Sequence, residues 1–218
     1  METPLTVLYT HRLRGDLDAL PRLYSFLRQL RAYYTSEEVV QVCALDPARP
    51  PGRVLLLDLG ECCDPAVWHC QVTAGRSMLV VLDGMGYDAA RVDDRREQRA
   101  KLGDNVRLAL IDGETPLRID DLLLTVDRRE ERESGQSLQI VLTPADATRL
   151  AGDTLYLAAL SGSQQVGAAQ LTFSPRWTLA AHARHDLPRL TPPDPTIAAS
   201  VEFVLSEARY AQKRRAAG

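Results

Sequence analysis

The chain has 218 residues, 45% of them hydrophobic and 25% charged, and a net charge of −3. That length can bury roughly 70% of the unfolded chain's surface, and the composition is ordinary for a globular protein. The balance of charge excludes nucleic-acid binding through bulk electrostatics, and no apolar stretch is long enough to span a bilayer. METPLTVLYTHRLRG lacks the basic start, apolar core and small-residue cleavage site of a secretory signal. The expectation is a cytoplasmic protein whose four cysteines, Cys43, Cys62, Cys63 and Cys70, are reduced thiols.

In chain order, Leu5 to Tyr9 reads as a buried strand. From Asp18 to Tyr34 the apolar residues Leu20, Leu23, Leu27, Leu30 and Tyr34 recur at helical spacing. Pro21 suits the first turn of that helix, and Arg22, Arg28 and Arg31 fall off the stripe, as solvated residues would. Glu38 to Leu45 reads as a strand, and the Pro-rich Asp46 to Arg53 as a connector. The run Leu55, Leu56, Leu57 reads as a strand buried on both faces. Thr73 is placed to cap a helix from Ala74 to Met85 that ends at Gly86. A short strand follows at Ala89 to Val92, making a βαβ unit with carboxylates beyond its strand ends.

The second half reads differently. Val106 to Ile111, Leu117 to Val126, Ser137 to Leu142, Thr154 to Leu160, Val166 to Phe173 and Trp177 to Ala183 all read as strands with short connections. They predict a second sheet, antiparallel or mixed. Asp127 to Gln136 is a charge run, expected as a solvated hairpin tip. Asp194 caps and Pro195 opens a last helix with Ile197, Val201, Val204, Leu205 and Ala208 on one face.

Five short segments punctuate the first half: Thr10-His11-Arg12-Leu13-Arg14-Gly15, Leu20-Pro21-Arg22-Leu23, Leu56-Leu57-Asp58-Leu59-Gly60-Glu61, Gly86-Tyr87-Asp88 and Asp93-Asp94-Arg95-Arg96. Their order resembles the calcineurin-like metallophosphoesterases, and most of all their 5′-nucleotidase branch. In that family the corresponding motifs are Thr-Asn-Asp-x-His-Gly, a Leu-x-Arg-Leu-like helix start, Leu-Leu-Asp-x-Gly-Asp, Gly-Tyr-Asp and Gly-Asn-His-Glu. The resemblance covers residues 5 to 97, and more loosely 166 to 209. It implies one domain over residues 1–218, α/β (α+β), a two-sheet sandwich flanked by helices.

The same resemblance implies a degenerate site. The family's first metal-binding aspartate and histidine fall on Arg12 and Arg14, and its bridging aspartate on Glu61. The asparagine of its last motif falls on Asp94 and the catalytic histidine on Arg95. Its later histidines have no counterpart; Gln139 to Asp146 stands where one such segment would, with Pro144 near the histidine's place.

Arg12, Arg14, Arg95 and Arg96 are therefore the candidate anion-binding residues, and Asp58, Glu61, Asp93 and Asp94 the vestigial carboxylates. Such a set forms either a salt-bridged plug or a metal-free pocket in which arginine forks hold phosphate or carboxylate. The function expected is non-catalytic binding or scaffolding, with no cofactor. The partner is then a protein or a small phosphorylated ligand, with self-association as a further option and no role for nucleic acid or membrane. The alternative is a phosphoesterase with a rearranged site, using Glu61, Asp94 and His11 around manganese or zinc.

Two other clusters have soft ligands. Cys62, Cys63, His69 and Cys70 lie within nine residues, but adjacent cysteines seldom share one tetrahedral ion, and loop or core thiols are expected. His182 and His185 point to opposite faces of a strand and are expected at the surface. Trp68 and Trp177 read as packing residues.

Overall fold

The computed structural model describes residues 4–35, 52–93, 102, 106–127 and 137–216. The expected strand at Glu38 to Leu45 and residues 128 to 136 of the charged tip lie outside the described residues.

The first strand, β1 (Leu5–Thr10), is buried along its whole length. It pairs in parallel with β2 (Arg53–Asp58), Leu5 opposite Arg53 and Thr10 opposite Asp58. β3 (Ala89–Arg91) and β4 (Ala109–Ile111) extend the parallel set on the β2 side. On the other side of β1 lies β10 (Gln165–Phe173), antiparallel, and beyond it β11 (Trp177–Asp186), so the six-stranded order is β11-β10-β1-β2-β3-β4. The second sheet has the order β5-β6-β7-β9-β8, from β5 (Leu117–Ile119), β6 (Leu122–Thr125), β7 (Leu138–Ala145), β8 (Arg149–Ala151) and β9 (Thr154–Ala158). It is mixed: β6, β7 and β9 run parallel while β5 and β8 are antiparallel edges.

Period-2 alternation divides β10, β1, β2, β3 and β4 between two cores, while the edge strand β11 is largely exposed. Val7, Tyr9, Leu55 and Leu57 face the five-stranded sheet and meet Leu124, Ile140 and Leu155 there. Leu8, Leu56, Ala90 and Ala168 face the opposite way, toward helices. These are α1 (Leu20–Thr35), α2 (Trp68–Thr73), α3 (Arg76–Gly84) and α4 (Pro195–Ala216), with α4 lying across the other three. The described residues thus form three layers, helices on a six-stranded sheet on a five-stranded sheet.

Several local expectations change. The helix expected from Ala74 to Met85 is present as α3, starting two residues later because Ala74 and Gly75 take left-handed φ values of 47° and 86°. What the pattern does not announce is α2, the short helix that ends at Thr73 just before them. Thr73 still serves the start of α3, since its Oγ1 accepts the Ser77 N–H at 3.2 Å. The strand expected from Leu117 to Val126 is a hairpin turning at Asp120, φ 53°. Val106 to Ile111 yields only β4, which joins the first sheet, and β8 is an edge strand that the sequence pattern does not announce. The arginines of α1 are not simply solvated: Arg22 donates to the carbonyls of Pro188, Arg189 and Thr191, Arg31 donates to that of Gly86, and Arg28 lies 3.5 Å from Asp194.

Candidate functional site

The parallel strands β1 and β2 end side by side at Thr10 and Asp58, and the chain continues from both as loops zipped by main-chain hydrogen bonds. Leu59 N–H donates to Thr10 O at 2.9 Å, Arg12 N–H to Gly60 O at 3.1 Å, Arg14 N–H to Glu61 O at 2.9 Å and Gly15 N–H to Cys62 O at 2.8 Å. To make these bonds, three residues with side chains adopt left-handed backbone: Arg12 (φ 60°), Arg14 (φ 50°) and Glu61 (φ 54°). Each such residue costs on the order of 1 kcal/mol, and clusters of them mark sites where geometry is being held against propensity.

The three strained residues are also the three that meet. Arg12 Nε donates to Glu61 Oε1 at 3.3 Å and Arg14 Nη2 to Glu61 Oε2 at 3.4 Å. All three side chains are about half exposed, so the pairs are screened by water. Burial alone would raise the Glu61 carboxyl, but hydrogen bonding and charge from Arg12, with His11 and Arg14, hold it below the usual glutamate value.

His11 is buried beneath this triad. Leu160 N–H donates to His11 Nδ1 at 3.3 Å, which leaves the proton of the neutral ring on Nε2, 3.5 Å from Glu61 Oε1. Burial lowers its pKa; Glu61 opposes that shift and Arg12 adds to it. At neutral pH the imidazole is therefore an uncharged donor facing the carboxylate.

Asp58 does not join the exposed group. It is fully buried, Oδ2 accepting from Thr10 Oγ1 at 2.8 Å and Oδ1 from Gly60 N–H at 3.0 Å. Because the Thr10 hydroxyl spends its proton on Asp58, the contact of Tyr87 with Thr10 Oγ1 at 3.0 Å is a donation by the tyrosine. Burial pushes the Asp58 carboxyl up to about 7 against these hydrogen bonds. Asp58 thus underpins the site from below, tying β1 and β2 through Thr10 to the Tyr87 that follows α3.

Asp93 and Glu61 both line a cavity of about 430 Å³ that also contacts His11, Cys62, Arg91 and Leu79. Asp94, Arg95 and Arg96 lie outside the described residues. Of the eight site residues expected, the structure brings Arg12, Arg14 and Glu61 into direct contact, sets Asp58 underneath, and places Asp93 in the lining of the same cavity as Glu61.

The cysteine cluster differs from expectation. Cys63 and Cys70 form a disulfide, and Cys62 is a buried free thiol that burial pushes well above the ordinary cysteine range. His69 is no metal ligand: its Nδ1 meets Ser77 Oγ at 2.9 Å and its Nε2 meets Gly15 O at 3.0 Å. Since a carbonyl only accepts, Nε2 carries the proton. His185 also departs from a surface role, its Nε2 lying 2.7 Å from Tyr34 Oη, whereas His182 is exposed. Trp177 packs against Phe173, as a packing residue should, while Trp68 sits edge-on to His69 and stays partly open to solvent.

The chemistry of the donor set does not suit a pair of divalent cations. Both Glu61 oxygens face guanidinium groups and both Asp58 oxygens accept internal hydrogen bonds. Among the described residues no group of three or more His, Cys, Asp or Glu is disposed to hold a metal ion.

No family profile and no curated protein sequence matches the chain. Solved structures do. The calcineurin-like phosphoesterase YfkN from Bacillus subtilis superposes with a TM-score of 0.60 at 8% identity, over 97% of this chain and 100% of that one. The 5′-nucleotidase precursor from Thermus thermophilus gives a TM-score of 0.60 at 11% identity, over 95% of this chain, which spans 59% of that protein's length. At such identities the likeness is one of architecture, and on it the chain has the calcineurin-like phosphoesterase fold.

Proposed function

We propose that this chain is a non-catalytic binding module built on a phosphoesterase fold, and that its paired loops receive an anionic group. The observation that carries the reading is Glu61, held by Arg12 and Arg14 on strained backbone at the ends of the central parallel strands. A divalent cation at ~4 Å from each guanidinium, at an effective dielectric of about 20, would meet repulsion of about 4 kcal/mol per unit charge from each. No hydrolytic step is therefore routed through such ions. Two arginine forks beside a neutral histidine donor instead match a phosphate or carboxylate, which would compete with Glu61 for them. The ligand so recognised is a small phosphorylated molecule or an acidic segment of a protein. No helix among the described residues is long and apolar enough to cross a membrane.

A thermal-shift titration with inorganic phosphate and AMP tests this. Either ligand should raise the melting temperature with concentration. The rise should vanish in the Arg12→Ala/Arg14→Ala double variant. In Glu61→Gln, which removes the competing negative charge, binding should tighten by about tenfold. Stoichiometric manganese in the purified protein, with turnover of a generic phosphodiester that Glu61→Ala abolishes, would overturn the reading in favour of a phosphoesterase. So would a flat response in both wild type and Glu61→Gln.

A further inference from the structure

The disulfide sits where the two site loops meet the helices. Cys63 follows Glu61 by two residues in the β2 loop, and Cys70 lies in α2, a helix of six residues. Gly15, in the β1 loop, packs directly on it: a Cβ placed there would lie 2.9 Å from Cys70 Sγ, and its φ of 80° already favours glycine. The adjacent His69 donates to Gly15 O, and Gly15 N–H donates to Cys62 O. Both loops and α2 therefore converge on one covalent bond, with Arg14 next to Gly15 in one loop and Glu61 two residues before Cys63 in the other. A six-residue helix has little stability of its own, so this link is a principal constraint on the segment from 59 to 70. The two residues differ in access, Cys70 being buried and Cys63 partly exposed, and both line the open cavity.

We propose that Cys63–Cys70 is an exchangeable disulfide, a site for a dithiol reductant of the thioredoxin class, whose reduction releases the Arg12–Gly15 loop. One thiolate of the dithiol attacks Cys63 Sγ, the Cys63–Cys70 bond breaks, and Cys70 leaves as a thiolate that takes a proton. The reductant's second thiol then attacks its own sulfur in the mixed disulfide and frees Cys63. The dithiol is oxidised to its disulfide and the chain gains two thiols. In a reducing compartment a disulfide of this kind is transient and sensing rather than permanent. The inference does not depend on what the arginines bind.

The test is limited trypsinolysis, because the loop carries its own cleavage sites at Arg12 and Arg14. The full chain is purified without reductant, and the disulfide is located by alkylation and peptide mapping. Cleavage after Arg12 and Arg14 is then followed before and after treatment with a dithiol, with Arg189 as the control site. Reduction should speed cleavage at Arg12 and Arg14 by about tenfold or more, since proteolysis tracks the open population, and leave Arg189 unchanged. Cys63→Ser/Cys70→Ser should behave as reduced protein under both conditions. If that variant does not fold, circular dichroism of the reduced wild type shows whether its fold persists while cleavage rises. Equal rates at Arg12 and Arg14 in the two redox states, free thiols at 63 and 70 in the protein as isolated, or global unfolding on reduction would each overturn the proposal.

Discussion

At the scale of single residues, the most consequential group outside the exposed triad is Asp58. Its folded pKa of about 7 stands above the unfolded value of 3.8. The folded state binds the extra proton, so the stabilisation it gives is complete below about pH 4 and is lost as pH rises through about 7. Chemical denaturation across about pH 4 to 8 should show stability falling by a few kcal/mol over that window, and Asp58→Asn should flatten the slope. Gly167 carries a different constraint. A Cβ there would stand 2.0 Å from the Tyr9 ring, which lies over it and ends in a hydroxyl 3.2 Å from Thr148 Oγ1. Gly167→Ala should cost about 2 kcal/mol or more through overpacking, lowering the melting temperature by roughly 4 °C or more, readable in a calorimetric scan.

At the scale of elements, the helices repeat what their sequences announce where the signals are local. Pro195 follows Asp194, whose Oδ1 accepts the N–H groups of Thr196 at 2.9 Å and Ile197 at 3.1 Å, so α4 begins where the pattern places it. Asp194→Ala should lose about 1 kcal/mol, measurable by urea denaturation. The buried strands are legible for the same reason, because Leu55, Leu56 and Leu57 can be buried on both faces only in a central parallel strand. The start of α3 is legible in Thr73, but α2 is not: Trp68 to Thr73 is a short helix with no capping side chain to announce it. Nor is the Cys63–Cys70 pairing, since a spacing of seven residues suits thiols, metal or disulfide equally until α2 folds back. The site itself is half legible. Its membership follows from resemblance, but that Asp58 points inward while Glu61 bridges two arginines depends on left-handed backbone at non-glycine residues, which sequence pattern does not encode.

At the scale of the whole molecule, the three-layer arrangement is foreseeable in outline, from a parallel first half and a strand-rich second half. What the strand pattern could not assign is sheet membership: β4, β10 and β11 join the first sheet, although all three come from the half that reads as a second sheet. The place of β10 has a further effect. β1 is flanked by β2 on one side and by β10 on the other, so Leu5 pairs with Leu171 and Tyr9 with Gly167. During synthesis β1 must wait, one edge bare, until β10 has left the ribosome. A nascent chain stalled before Gln165 should therefore be protease-sensitive throughout its N-terminal half, and one released after the last helix should not.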